Sequence, residues 1–201
     1  MSIEGKKIFI TGSTGGIGTA ICNKYLNKNC ILILTSSSEE KLEKLKKLYG
    51  NKHSYYNLDL SNIDNLEKKM QIISKEHKDI DVLVNNAGIT NDALLLRMKY
   101  SQWSKVINTN LSSNFIIIKS ILPSMIAKRN INVNVVSPGF IVSSMTDQLN
   151  EDQKNNIMQN IPMKKFGKPE DVASLVLYLT SDEASYITGQ NFHINGGMLM
   201  V

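Results

Sequence analysis

A chain of 201 residues is long enough for one domain with a substantial core. Its apolar share of 42% and charged share of 20% are those of a soluble globular protein, which argues against a disordered or fibrous class. The formal net charge of +5 rests on 21 lysines and 2 arginines, which alternate with Glu and Leu in segments such as "EEKLEKLKKLYG" (39–50). That is the pattern of solvated helix faces rather than of a nucleic-acid surface.

The first residues, "MSIEGKKIFITG", carry no signal-peptide pattern, and the longest apolar run, "FIIIKSIL" (115–122), is too short to cross a bilayer. Cys22 and Cys30 sit in apolar surroundings without metal-ligand spacing, so they read as buried thiols of a reducing compartment. A cytoplasmic protein with no membrane or nucleic-acid partner is the expectation.

Strand-like and helix-like segments alternate along the chain. "KIFITG" (7–12) reads as a strand, followed by a helix over 16–28 with Ile17, Ile21 and Tyr25 on one face. "CILILT" (30–35) is a second strand and 38–49 a lysine-rich helix. "SYYNLDL" (54–60) is a third strand. Ser61 followed by Asp64 marks a helix start, with Leu66, Met70 and Ile73 as its buried stripe. "IDVLVNNAG" (80–88) is a fourth strand, and residues 101–127 are helical with Pro123 marking a kink or an early end. "INVNVVS" (131–137) is a strand, Pro169, Glu170 and Asp171 open a helix through Leu179, and "QNFHING" (190–196) is the last strand. The alternation predicts one domain over 1–201, a Rossmann-like doubly wound parallel sheet with helices on both faces.

"TGSTGGIG" (11–18) lies between the first strand and the first helix. There Gly12 permits a tight turn, Gly16 lets the backbone approach a pyrophosphate, and Gly18 allows close helix–strand packing. Backbone N–H groups and the helix dipole favour an anion at this place. An Asp or Glu at the end of the second strand would hold the ribose 2′-OH of NAD. This chain reads "LTSSS" instead, so Ser36, Ser37 and Ser38 offer hydroxyls to a 2′-phosphate, and NADP is favoured. Ser38 equally reads as the cap of the next helix.

"NNAGIT" (85–90), taken with the glycine loop and "SPGFI" (137–141), resembles the classical short-chain dehydrogenase/reductase family. "LLLRMK" (94–99), "MTDQL" (145–149) and the ending "YITGQNFHINGGMLMV" are similar to the bacterial 3-oxoacyl-acyl-carrier-protein reductases of fatty-acid elongation. The resemblance implies NADPH-dependent reduction of a 3-oxoacyl thioester on an acidic acyl carrier protein, by a homo-oligomer. It also implies roles for residues. Gly12, Ser13, Thr14, Gly15, Gly16, Ile17 and Gly18 would wrap the cofactor phosphates, with Gly15 standing where relatives using NADPH often carry arginine. Ser37 would lie beside the 2′-phosphate, and Asp59 and Leu60 at the adenine. Asn86, Ala87 and Gly88 would line the nicotinamide ribose, and Pro138, Gly139 and Ile141 would flank the nicotinamide. Asn110 matches the helix asparagine of the family's proton relay, and Lys128 and Arg129 would contribute to a basic docking patch.

One part of the pattern is missing. In that family a tyrosine gives the ketone oxygen its proton, and a lysine four residues later lowers a phenol pKa that is ordinarily about 10. The seven tyrosines 25, 49, 55, 56, 100, 178 and 186 are followed at that spacing by Asn29, His53, Asp59, Leu60, Ser104, Asp182 and Gln190. The catalytic strand and helix should stand between "MIAKR" (125–129) and "RNINVNVVSPGF" (129–140), and the chain passes directly from one to the other. One strand–helix unit is absent. The remaining sequence offers no substitute acid: Ser137 reads as a structural serine before Pro138, and His53, His77 and His193 as dispersed. The strand at 131–137 is expected to take the vacant place beside the strand at 81–86, through a right-handed crossover. A non-catalytic NADP-binding remnant, acting as partner of an active relative, is the alternative to a reductase.

Overall fold

Apolar runs rich in Ile, Leu and Val build the parallel sheet of this protein, and the helices between them supply the crossovers. The computed structural model describes residues 3–127, 131–143 and 146–200. In chain order the principal elements are β1 (Lys7–Ile10), α1 (Gly16–Leu26), β2 (Ile31–Ser36), α2 (Glu39–Tyr49), β3 (Ser54–Asn57), α3 (Ile63–Glu76) and β4 (Val82–Val84), then α4 (Tyr100–Ile107), α5 (Ser113–Ile126), β5 (Val135–Pro138), α6 (Glu151–Gln159), α7 (Pro169–Leu179) and β6 (Asn191–Ile194). The chain divides into two units: residues 5–15 with 30–131, and residues 1–4 with 16–29 and 132–201.

The first unit holds a four-stranded parallel sheet in the order β3-β2-β1-β4. Successive side chains of a strand point to opposite faces. Phe9 and Ile33 accordingly enter a cluster with Leu66, Met70 and Ile73 of α3 and Ile116, Ile117 and Ile121 of α5. Ile8, Ile10, Leu32 and Leu34 point to the other face and are buried as well. A parallel sheet is buried on both faces, so its strands read as unbroken apolar runs, as these do. The expected stripe on α3 is confirmed. Its cap is not Ser61 but Asn62, whose side chain accepts from the Asn65 N–H at 3.1 Å. Ser61 is turned instead to Asp59. Ser38 does cap α2, accepting from the Lys41 N–H at 3.3 Å. The helix expected over 101–127 is α4 and α5 joined by a π turn at Asn108–Ser112, and Pro123 lies inside α5 without ending it.

In the second unit α1 packs against α7, and the buried Tyr25 hydroxyl meets Thr180 Oγ1 at 2.8 Å. α7 begins at Pro169 and ends at Leu179, as the acidic first turn and the proline predict. Cys22 and Cys30 are buried and form no disulfide, and burial pushes the Cys22 thiol up to about 12. β5 pairs in parallel with β6, Val135 opposite Asn191 and Ser137 opposite His193. The expectation that this strand would replace the absent one beside β4 is therefore corrected. The described partner of β4 is β1, and that of β5 is β6. One edge of β5 is paired with β6, and no described strand is hydrogen-bonded to its other edge. Residues 128–130, where that crossover would run, lie outside the described residues.

Candidate nucleotide site

The turn after β1 is fastened to the turn after β4. Thr11 is fully buried, and its Oγ1 accepts from the backbone N–H groups of Asn86 and Ala87, both at 3.0 Å. The Asn86 side-chain amide returns two bonds, to the carbonyls of Thr11 at 3.0 Å and Gly12 at 3.1 Å. Gly12 has φ +63°, and a Cβ built there would stand 2.9 Å from Ala87 Cα. Only glycine meets both demands. Ser13 is pinned to β2, its N–H and its hydroxyl both reaching the Thr35 carbonyl at 3.0 Å. Gly15 N–H closes the turn on the Gly12 carbonyl at 3.2 Å. Thr11 and Gly12 are thus brought beside Asn86 and Ala87, while Ser13 and Thr14 face the end of β2.

The serine run forms the adjoining wall. Thr14 Oγ1 and Ser36 Oγ lie 2.8 Å apart, and Ser36 Oγ also accepts from the Ser38 N–H at 3.2 Å. Ser37 is exposed, and its carbonyl accepts from Asn57 Nδ2 at 3.4 Å. No acid occurs between Glu4 and Glu39, so this part of the chain brings no carboxylate to repel a phosphate. Glu40 in the first turn of α2 is paired with Lys44 at 2.6 Å, which holds its carboxyl below the usual range. The hydroxyls, the seated glycine and the carboxylate-free stretch fit a nucleotide phosphate.

Beyond β3, the Asp59 carboxylate accepts from the Ser61 hydroxyl at 2.7 Å and the Ser61 N–H at 2.9 Å. Those two bonds, in that order, hold it below the ordinary value for aspartate. Leu60 is buried against the core. Asn110 sits in the π turn, where its Oδ1 accepts from Ile89 N–H at 2.9 Å and its Nδ2 donates to the Ile89 carbonyl at 2.8 Å. Widened turns of this kind are frequent at functional sites. This one ties Asn110 to the residue after Gly88.

In the second unit Gly16, Ile17 and Gly18 form the first turn of α1, with Gly18 buried. Pro138 ends β5, and a Cβ on Gly139 would come within 2.8 Å of Asn195 Cα, so that close approach requires glycine. Ile141 forms a parallel bridge with Gly167. Ser137 Oγ donates to Asn191 Oδ1 at 2.7 Å, and Asn191 Nδ2 is 3.4 Å from His193 Nε2. The reading of His193 as dispersed is corrected here: the parallel register of β5 and β6 gathers it with Ser137 and Asn191. The described phenols are engaged elsewhere or exposed. Tyr55 donates to the Gly50 carbonyl at 2.8 Å and Tyr56 to Glu76 at 2.6 Å, while Tyr100 and Tyr186 face solvent. Lys128 and Arg129 lie outside the described residues.

The family model for short chain dehydrogenases matches residues 6–130, and one described as enoyl-(acyl carrier protein) reductase matches 124–199. The chain belongs to the short-chain dehydrogenase family, whose members are nicotinamide-dependent oxidoreductases. It is 39% identical to 3-oxoacyl-acyl-carrier-protein reductase FabG of Buchnera aphidicola, over 245 positions covering all of both chains. It is 34% identical to FabG of Haemophilus influenzae, covering 98% of this chain and 100% of that one. A solved short-chain dehydrogenase/reductase from Brucella melitensis superposes with a TM-score of 0.87 at 28% identity, covering 98% of each chain. Aligned over 245 positions, the 201 residues here fall short by 44 (245 − 201). The two family models overlap at residues 124–130.

Proposed function

We propose that this chain is an NADPH-dependent reductase of 3-oxoacyl thioesters carried on acyl carrier protein, slower than its longer relatives because it lacks their tyrosine–lysine pair. The observation that carries this reading is the seating of Gly12 against Ala87 beside the Thr14–Ser36 hydroxyl pair, in a chain with no acid from residue 5 to residue 38. A nicotinamide cofactor supplies a hydride when bound. Gly12, Ser13, Thr14 and Gly15 are proposed to hold its phosphates and Ser37 its 2′-phosphate. Asp59 and Leu60 would meet the adenine, and Asn86, Ala87 and Gly88 the ribose. The backbone grip of Asn110 on Ile89 holds the turn after β4 in shape. The alcohol oxygen of the product then takes its proton from water. Loss of a general acid typically slows such a step ~10²–10⁴-fold.

The absent tyrosine–lysine pair favours a second reading, a non-catalytic NADP-binding protein that partners an active relative. Two measurements separate the readings. Isothermal titration is expected to give tighter binding of NADPH than of NADH, and equal affinities would remove the role given to Ser37. NADPH oxidation with an acetoacetyl thioester is expected to run at least ~10²-fold slower than in the Buchnera relative. Retained NADPH binding with no turnover would establish the second reading, and turnover equal to the relative's would mean that another residue acts as the acid.

A further inference from the structure

The hydroxyls of Ser104, Ser120, Ser124, Ser174 and Ser181 donate to backbone carbonyls within their own helical turns. Ser137, the last residue before Pro138, does otherwise. Its hydroxyl donates to the Asn191 side chain, 54 residues away in sequence, at 2.7 Å. Asn191 Nδ2 lies in turn 3.4 Å from His193 Nε2. β5 and β6 run parallel, with Ser137 opposite His193 and Val135 opposite Asn191, so these four side chains share one face of the pair. That face meets solvent: Val135 is 56% exposed, and both bonds lie at the surface. Water could serve each of these groups, so the fold does not depend on the bonds that link them.

The protons along this row are fixed by the groups themselves. A serine hydroxyl has one proton, and here it goes to Asn191 Oδ1. Ser137 therefore turns only lone pairs to anything else on the face. With its oxygen held by Ser137, the Asn191 amide has only N–H to offer the ring. His193 Nε2 is then the acceptor, and the ring proton stands on Nδ1. A second proton on the ring makes Nε2 a donor, so that two N–H groups oppose each other. A half-turn of the Asn191 amide removes the conflict: Oδ1 accepts from Nε2–H, and Nδ2 donates to Ser137 Oγ. The Ser137 proton is thereby freed. One proton on His193 converts Ser137 from acceptor to donor. β5 and β6, reading VVSP and NFHI, hold no other titratable side chain. α7 packs against β5 and carries Glu170, Asp171 and Tyr178, of which Asp171 Oδ2 is engaged with the Lys168 N–H at 2.7 Å.

We infer that Ser137, Asn191 and His193 form a recognition site for a ligand oxygen, donating to a carbonyl when His193 is charged and accepting from a hydroxyl when it is neutral. Resting on the function proposed above, that oxygen is the ketone of the 3-oxoacyl thioester and then the alcohol of its product. Ser137 directly precedes Pro138 and Gly139, the pair proposed by resemblance to flank the nicotinamide. Ser137 is the group that meets the ligand, and Asn191 and His193 are positioning residues that act through it. The site orients the ketone and passes no proton to the product, which still draws its proton from water.

Calorimetric titration of acetoacetyl-N-acetylcysteamine into the full chain loaded with NADP+, which cannot reduce it, tests the inference at about pH 6 and about pH 8. The ketone is expected to bind ~3–10-fold more tightly at the lower pH, the worth of about one hydrogen bond. Ser137→Ala and His193→Gln should each remove that preference, Ser137→Thr should keep it, and all three should bind NADPH as the parent does at both pH values. Any effect of the probe's own ionisation persists in every variant and is subtracted by them. Nitrogen-15 spectra read the row without a ligand: the neutral His193 ring should carry its proton on Nδ1, and Asn191→Leu should return it to the tautomer mixture of a solvated histidine. A pH preference that survives in Ser137→Ala overturns the inference, and so does a neutral ring protonated at Nε2. If the ketone binds equally at both pH values, the site falls and the reductase reading stands. If NADPH binds but the ketone binds at neither pH, the reductase reading falls, and the spectra decide the proton-set row by themselves.

Discussion

Thr11 accepts two backbone hydrogen bonds from a loop 75 and 76 residues away, and this joins the two halves of the nucleotide cradle. Thr11→Val keeps the shape but removes the acceptor, leaving the Asn86 and Ala87 N–H groups unpaired. An unsatisfied buried donor costs roughly 1–3 kcal/mol. Thr11→Val should therefore lower the urea midpoint and weaken NADPH binding, while Thr11→Ser retains both; a serine variant no better than valine would show that the methyl group, not the oxygen, matters. Gly12→Ala is expected to cost about 1–3 kcal/mol from a positive φ and a clash with Ala87, read in the same unfolding experiment. The tight turn at Gly12 was legible in the sequence, because a turn that demands glycine leaves a local trace; the bonds of Asn86 to the Thr11 and Gly12 carbonyls were not. Thr11 was not, for a bond between residues so far apart has no periodic signature.

At the scale of elements, legibility followed apolar patterning. α3 and α7 declare themselves by their stripes and first turns, whereas α6 was missed because "EDQKNNIMQ" buries no side chain and rests on a capping box between Asn150 and Gln153. A polar helix held by its cap resembles a loop when read by periodicity. β5 begins later than the apolar run that announced it, since the residues before Val135 bond to the 187–190 turn through side chains as well as backbone. Two histidines flank the sheet elements and make them acid-sensitive. His53 Nδ1 accepts from the Leu32 N–H at 3.2 Å, and His77 Nε2 lies 2.8 Å from the Tyr56 hydroxyl. Burial, then Lys52, lowers the His53 pKa below its ordinary 6.5, and burial, then Lys7, does the same for His77. The folded state thus prefers both rings neutral. Stability held above pH 6.5 is lost as pH falls through the depressed values. Urea midpoints at about pH 7.5 and about pH 5.5 should show this loss, and His53→Gln should reduce it; an unchanged difference in the variant would exclude His53 as a source.

For the molecule as a whole, the family was readable from the glycine loop, the NNAG turn and the Pro138–Gly139 pair, and so was the shortfall in length against its relatives. Which strand β5 would pair with was not readable, because pairing between residues so far apart in sequence leaves no local pattern. The structure keeps the β5–β6 pair as it is and leaves β4 with its one described neighbour, β1. This outcome bears on catalysis. The β1–β4 and β5–β6 pairs both form without the residues by which relatives of about 245 residues exceed this chain. On the reductase reading the deficit lies in the missing residues, and restoring them should reverse it. Grafting the corresponding segment of about 44 residues from the Buchnera relative into the join at 128–130 is expected to raise acetoacetyl-thioester reduction ~10²-fold or more. The affinity for NADPH should stay as it was, because the graft leaves the Gly12–Ala87 cradle untouched. Titration of NADPH into the grafted chain shows whether it has folded, independently of turnover. A graft that binds NADPH but turns over no faster than the parent would mean that the parent's surroundings no longer accept the catalytic unit, and the second reading, a binding protein rather than a reductase, would replace the first.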